Sequence, residues 1–157
     1  MDMQTLTYAL LGGLAIALLF TIYSDIRHRK IYNIVTLAIA LGAPIFWFVS
    51  GQLTWQFAAI QVATALITFG IFSIFFALNW MKGGDIKLFS SLALWFVPTK
   101  FITLVLVASV LGLFVTIFFA VTHKLRKQKG PARIPYGIAI ALAGLWAVSE
   151  PFFNHFG

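Results

Sequence analysis

Six long apolar runs separated by short polar connectors dominate this chain and limit what it can fold into. The runs cover residues 5–24, 31–50, 54–80, 85–97, 101–122 and 135–153. About 20 apolar residues in a helix cross a bilayer, and most of the runs reach that length. With 61% hydrophobic residues and a mean hydropathy of +0.98, the chain has more apolar side chain than a soluble core of 157 residues could bury. The sequence therefore predicts an all-α fold, a polytopic transmembrane helical bundle with about six membrane segments.

The basic residues are concentrated in the connectors, and their distribution predicts the orientation of the bundle. Ten of the eleven Lys and Arg residues lie in or beside the connectors after the first, third and fifth runs, and only Lys100 lies on the other side. The positive-inside rule assigns the basic face to the cytoplasm. The first run lacks a basic leader region and a cleavage site, so we expect a retained span. The net charge of +7 follows from these connectors and gives no support for nucleic-acid binding.

The chain has only four acidic residues, and two of them fall on the predicted cytoplasmic face. Asp25 follows the first run and Asp85 begins the fourth, whereas Asp2 and Glu150 lie at the opposite ends of their runs. An ionisable group at a membrane boundary is costly and is a candidate functional residue. Two close carboxylates can share a proton and act as general base and general acid in peptide hydrolysis. Alternatively, each aspartate caps a helix or pairs with a neighbouring Lys or Arg.

The fourth run is too short to span a membrane as a helix. Its roughly thirteen residues would rise about 20 Å, less than a hydrocarbon core of about 30 Å. Gly83 and Gly84 precede Asp85, and adjacent glycines permit a tight turn. Either this turn is drawn into the protein, where irregular backbone is tolerated, or it is an ordinary surface hairpin.

Three segments carry motifs, namely DIRHRKIYN at 25–33, MKGGDIKL at 81–88 and RIPYG at 133–137. The second resembles the G-x-G-D motif of the type IV prepilin peptidases, which is followed by a hydrophobic residue, Lys and Leu. The first is similar to that family's first-aspartate motif, an Asp followed by a basic stretch and Ile-Pro-Asn. The third resembles the start of the family's last span. The three matches occur in the family's order and extend over most of the chain.

The resemblance implies roles for individual residues. Asp25 and Asp85 would be the catalytic pair of a G-x-G-D intramembrane aspartyl protease. The residues expected to support the motifs and their turns are Gly83, Gly84, Lys87, Asn33, Pro135 and Gly137. Asn33 could instead be the N-cap of the second helix, and Pro135 suits the first turn of the last helix. Small residues in the first and last runs (Gly12, Gly13, Ala17, Ala139, Ala143 and Ala147) indicate close helix packing.

Two positions depart from the family motifs. Lys82 stands where G-x-G-D has its first glycine, and Tyr32 stands where Ile-Pro-Asn has its proline. The chain also lacks the cysteine-containing cytoplasmic insert of the longer members that methylate the mature pilin. We therefore expect a single transmembrane peptidase domain over residues 1–157, without a soluble or methyltransferase domain. It is similar to the short, peptidase-only CpaA/TadV-like branch associated with tight-adherence (Flp-type) pili.

The function that the resemblance implies is removal of the short basic leader of Flp-like prepilins at the cytoplasmic face of a bacterial inner membrane. Its partners would be a membrane-inserted prepilin and the lipid bilayer, with no nucleic acid. The chain has no cysteine and its three histidines have no metal-ligand spacing, so we expect no metal and no cofactor. The sequence assigns no oligomeric state.

Two other classes of function stay open. The first is a catalytically inactive scaffold or assembly factor of a pilus or secretion system, which Lys82 and Tyr32 favour. The second is a carrier, for which the mid-span polar residues Gln61 and Thr64 are the best candidates.

Overall fold

The computed structural model describes the backbone of residues 1–156 and the side chains of residues 1–151. Within this part the chain forms six helices and no strand, which confirms the predicted all-α fold. The helices are α1 (Met3–His28), α2 (Asn33–Val49), α3 (Trp55–Ala77), α4 (Gly83–Ala93), α5 (Pro98–Leu125) and α6 (Tyr136–Phe156). By length and composition α1, α3 and α5 can each cross a membrane, and α2 is a shorter apolar helix. The fold is that of a multi-pass membrane protein.

The short helix α4 lies at the centre of the bundle. It packs against α2, α3 and α6, while α6 also packs against α1 and α5. Seven of its eleven residues are buried (Asp85, Ile86, Leu88, Phe89, Ser91, Leu92 and Ala93). Gly83 and Gly84 are half-buried and form the first turn of α4, whereas Leu78, Asn79 and Trp80 in the turn before it are exposed. The prediction that the fourth segment is too short to span is confirmed.

Side chains from α2 and α3 satisfy the backbone where α4 ends inside the bundle. The Leu94 carbonyl accepts hydrogen bonds from Trp47 Nε1 at 2.9 Å and Gln61 Nε2 at 3.1 Å. Gln61 Nε2 also donates to the Phe96 carbonyl at 2.9 Å. In an apolar environment an unpaired carbonyl is costly, so these contacts allow a helix to stop in mid-bundle. Gln61 is one of the two candidate transport residues in the sequence, and in the structure its side chain stabilises the backbone at the end of α4.

Replacing Gln61 by Leu should destabilise the protein. Among the described residues, the substitution removes the only side-chain donor to the Phe96 carbonyl and one of two to the Leu94 carbonyl, which should cost about 1–3 kcal/mol. A loss of that size should lower the melting temperature in detergent by roughly 2–10 °C. Thr64→Val is the matched control, because the Thr64 hydroxyl donates only to Ile60 of its own helix. Equal melting temperatures for the two variants would show that Gln61 does not support the end of α4.

The opposite end of the bundle holds the other two acidic residues. Lys100 near the start of α5 forms a 2.6 Å ion pair with Glu150 near the end of α6. Asp2 precedes α1 at the same end, where Gln4 of α1 lines one cavity together with Lys100 and Pro151. The predicted separation of Asp2 and Glu150 from Asp25 and Asp85 follows directly from this arrangement.

Candidate active site

Asp25 lies in the last turn of α1 and is almost fully buried. Its exposed fraction is 1%. The helix ends where Arg29 adopts a left-handed conformation and donates its backbone N–H to the Asp25 carbonyl. The neighbouring Ser24 hydroxyl donates to the Lys30 carbonyl at 3.0 Å, which folds the connector back over the end of the helix. The end of α1 thereby holds the Asp25 carboxyl group inside the protein.

The first turn of α6 faces the Asp25 carboxylate. The backbone N–H groups of Gly137 and Ile138 interact with it as hydrogen-bond donors. Free N–H groups and the positive end of the helix dipole make the start of a helix a favourable place for an anion. Pro135 is fully buried and directly precedes this turn, so it lies one position before the helix and not within its first turn, where the sequence placed it. The RIPYG segment therefore positions α6 against the first aspartate.

Asp85 is the third residue of α4 and is also 1% exposed. Its carboxylate interacts with the backbone N–H of Lys82, which is the N-cap residue of α4. The acidic residue at the third helical position of a capping box makes the same contact. Asp25 and Asp85 interact electrostatically, and Ile31 adjoins both Gly84, next to Asp85, and the Gly137 position beside Asp25 Oδ2. The structure therefore brings together the two acids that lie 60 positions apart in the sequence.

Two of the predicted glycines are needed because the helix ends approach closely at Ile31. A Cβ at position 84 would lie 3.1 Å from Ile31 Cβ. A Cβ at position 137 would lie 2.7 Å from both Asp25 Oδ2 and Ile31 Cδ1. Real Cβ atoms do not come that close to other atoms, so glycine at 137 allows α6 to approach the carboxylate. Gly83 is less restricted, since its nearest neighbour would be Phe76 at 3.7 Å.

The two lysines of the second motif have different positions. Lys82 is half-buried, its ammonium group donates to the Ile134 carbonyl at 3.1 Å, and its charge acts on both Asp25 and Asp85. A cation in this position offsets part of the repulsion between two carboxylates. Lys87 is exposed and donates to Asn33 Oδ1 at 3.0 Å, so this pair ties α4 to the start of α2 outside the acidic site. The alternative that Asn33 is an N-cap is wrong, because Tyr32 occupies that position and Asn33 is the first helical residue.

The arrangement has the components of acid–base catalysis. Asp25 Oδ2 and Asp85 Oδ2 are both buried and have no hydrogen-bond partner among the described residues. Two such oxygens can hold a water molecule between them, one as proton acceptor and the other as proton donor. A cleft of about 330 Å³ between α3 and α5 reaches Met81 and Tyr136, which adjoin Lys82 and Gly137. In the described part of the chain, His, Cys, Asp and Glu form no group of three or more that could hold a metal ion.

Comparisons with known proteins agree with the motifs. No curated protein and no solved structure gives a significant match to the chain. A model of the type IV leader peptidase family matches residues 12–117, which include Asp25, Asp85 and the G-G-D turn but end before Pro135. Because that match covers more than half of the sequence and both buried aspartates, the chain belongs to the type IV leader peptidase family.

Proposed function

We propose that this protein is a membrane-embedded aspartyl endopeptidase that removes the leader of Flp-like type IV prepilins at the cytoplasmic face of the bacterial inner membrane. The observation that carries the proposal is the pair of buried aspartates at the meeting point of α1, α4 and α6, each with an oxygen that has no hydrogen-bond partner among the described residues. Membership of a leader peptidase family supports the reaction type and a prepilin substrate. The basic connectors support the cytoplasmic orientation.

In the proposed mechanism the two aspartates share one proton and hold the attacking water. The ionised carboxylate accepts a proton from the water while the water oxygen forms a bond to the scissile carbonyl carbon. The protonated aspartate then donates its proton to the nitrogen of the leaving amine as the C–N bond breaks. Burial of both groups keeps bulk water away from the charges and strengthens their electrostatic interactions with the reacting atoms.

Coexpression with a candidate Flp-type prepilin tests this function. We expect the wild-type chain to convert the prepilin to a shorter product that lacks the leader, as measured by immunoblot and by mass spectrometry of the new N-terminus. A peptidase-free strain carrying the same prepilin provides the background.

The alternative function is that of an inactive scaffold, and Lys82 is the observation that favours it. A lysine replaces the first glycine of the family motif, and its charge acts on both carboxylates. A scaffold would support pilus assembly or bind its partners without shortening the prepilin in the coexpression experiment. Full assembly together with uncut prepilin would therefore favour the scaffold over the peptidase.

Single cysteines test the orientation, because the chain has no cysteine of its own. Gln52 lies between α2 and α3, and Lys124 lies at the end of α5 on the basic face; both side chains are exposed. We expect an impermeant thiol reagent to label Gln52→Cys in intact cells and to label Lys124→Cys only after the cells are opened. The reverse pattern would place the aspartates on the outer face and contradict the proposed location of cleavage.

A further inference from the structure

A second cavity lies on the basic face, apart from the aspartate pair. It has a volume of about 540 Å³ and is formed by the end of α1, the end of α5 and the connector between α5 and α6. Its lining includes five cationic or titratable basic side chains, namely Arg29, His123, Arg126, Lys129 and Arg133. The peptidase mechanism uses none of these side chains to contact the reacting atoms.

The positive charge of this basic cavity is not balanced by acidic side chains. No Asp or Glu of the described part of the chain lines the cavity. Among the four acids of the chain, Glu150 pairs with Lys100 at the far end, and only Asp25 interacts with a cavity residue, Arg29. Arg126, Lys129 and Arg133 are exposed, so water screens much of the repulsion between them, and a bound anion would offset the remainder. Guanidinium groups are well suited to a phosphate, because they donate paired hydrogen bonds to its oxygens.

The surroundings of the basic cavity favour a lipid phosphate over a soluble one. The guanidinium of Arg29 stacks over the Phe119 ring at 4.9 Å, so the cavity has an aromatic wall on α5. The neighbouring side chains Phe118, Val121 and Leu125 of α5 are exposed on the apolar surface of the bundle. A phospholipid whose headgroup entered the cavity could therefore lay its acyl chains along α5. Basic pockets at the cytoplasmic ends of membrane helices recognise anionic headgroups by this combination of contacts.

The connector that forms the cavity wall continues directly into the aspartate site. Arg133 lines the cavity, the next residue, Ile134, accepts the hydrogen bond from Lys82, and Pro135 begins the segment that leads to Gly137. We propose that the basic cavity binds the phosphate headgroup of an anionic phospholipid, and that this lipid holds the connector in the position that places α6 against Asp25. The binding step does not depend on the proposed peptidase activity.

Thermal stability in mixed micelles tests the binding step. We expect phosphatidylglycerol to raise the melting temperature of the wild-type protein by about 4 °C relative to phosphatidylcholine, since a ligand that binds the folded state stabilises it. The double variant R126Q/R133Q should lose this shift. The matched control K124Q/K127Q removes the same charge from residues of the same segment that do not line the cavity, and it should keep the shift. Loss of the shift in both variants, or in neither, would overturn the specific site.

A soluble phosphate ester tests whether the cavity binds the phosphate of a lipid headgroup or a phosphate group free in solution. Glycerol 3-phosphate at the same concentration should give little or no shift in phosphatidylcholine micelles. A full shift with this compound alone would overturn the lipid assignment and indicate a soluble phosphate ligand.

Photo-crosslinking in the otherwise wild-type protein provides a measurement that does not depend on the folding of R126Q/R133Q. An azidophenylalanine at Phe119, in the cavity wall, should form adducts with phosphatidylglycerol in preference to phosphatidylcholine in vesicles containing both. The same probe at Phe114, which is 65% exposed on α5 and does not line the cavity, should show no preference. Equal preference at both positions would mean that the cavity does not select the headgroup.

Discussion

Asp25→Asn and Asp85→Asn should each abolish prepilin processing while the protein still accumulates in the membrane. Asparagine has nearly the same size as aspartate, but it cannot accept a proton from water or donate one to a leaving amine. Loss of a general acid or base typically lowers a rate by about 10²–10⁴-fold, and loss of half of a cooperating pair should fall at the upper end of that range. The fraction of shortened prepilin after coexpression measures the effect, with the membrane content of each variant as the reference.

The remaining aspartate provides a matched control for this experiment. Asp2 lies at the far end of the bundle, and its side chain makes no cap hydrogen bond to α1. Asp2→Asn should therefore process prepilin as fully as the wild-type protein. Full processing by Asp25→Asn or Asp85→Asn would mean that cleavage does not require two carboxylates.

Gly137→Ala should reduce processing by roughly 10²-fold, although it changes a residue that carries no functional group. The new methyl group would lie 2.7 Å from Asp25 Oδ2 and Ile31 Cδ1, so either α6 or the carboxylate must move. Movement of the first turn of α6 would also displace the N–H groups of Gly137 and Ile138 from Asp25. An error of about 1 Å in the position of a catalytic group is enough to produce a loss of this size.

Gly144→Ala separates this positional effect from a general packing defect. A Cβ at position 144 would lie 2.9 Å from Leu18 Cδ1, at a contact between α6 and α1 that is nearly two turns further along α6. We expect Gly144→Ala to lower the melting temperature clearly and to change the processing rate little. Gly137→Ala should lower the processing rate strongly and the melting temperature little. If the two variants lose stability and processing in the same proportion, Gly137 has only a packing role.

The number and order of the helices could be predicted because apolar length is a strong signal in a membrane protein. The short fourth segment was also predictable, since its length and the Gly83-Gly84 pair are visible in the sequence. The contacts that let α4 end inside the bundle were not predictable. They depend on Gln61 and Trp47, which lie on two other helices and reach the same carbonyl.

Which face of each helix is buried was harder to predict, because lipid and protein core are both apolar and the sequence shows little amphipathic pattern. The small residues Ala139, Ala143 and Ala147 are buried in α6, as expected. The expectation of close packing at Gly12 and Gly13 is wrong, since a Cβ at either position would meet no atom of another described element within 4 Å. Gly144 makes the close approach to α1 instead.

The two aspartates of the site were predictable from the scarcity of acidic residues and from the motifs around them. The residues that surround the two aspartates were only partly predictable. The position of Gly137 in a matching motif made it a candidate, but its contact with Asp25 requires the first turn of α6 to meet the last turn of α1. Ile31 is the isoleucine of the segment similar to Ile-Pro-Asn, but the motif does not show that this side chain lies against Gly84 and Gly137. The link from Lys82 to Ile134 likewise joins residues whose proximity only the fold creates.

A double-mutant cycle with purified components is the most direct test of the claim that Asp25 and Asp85 act as one catalytic unit. Wild-type protein, Asp25→Asn, Asp85→Asn and the double variant would be reconstituted in proteoliposomes with a defined prepilin, and the cleavage rate of each would be measured. Residues that work as a unit are strongly non-additive, so the double variant should be no slower than either single variant. If the two aspartates contribute independently, the fold-losses in cleavage rate of the two single variants will multiply in the double variant. That result would contradict the shared mechanism.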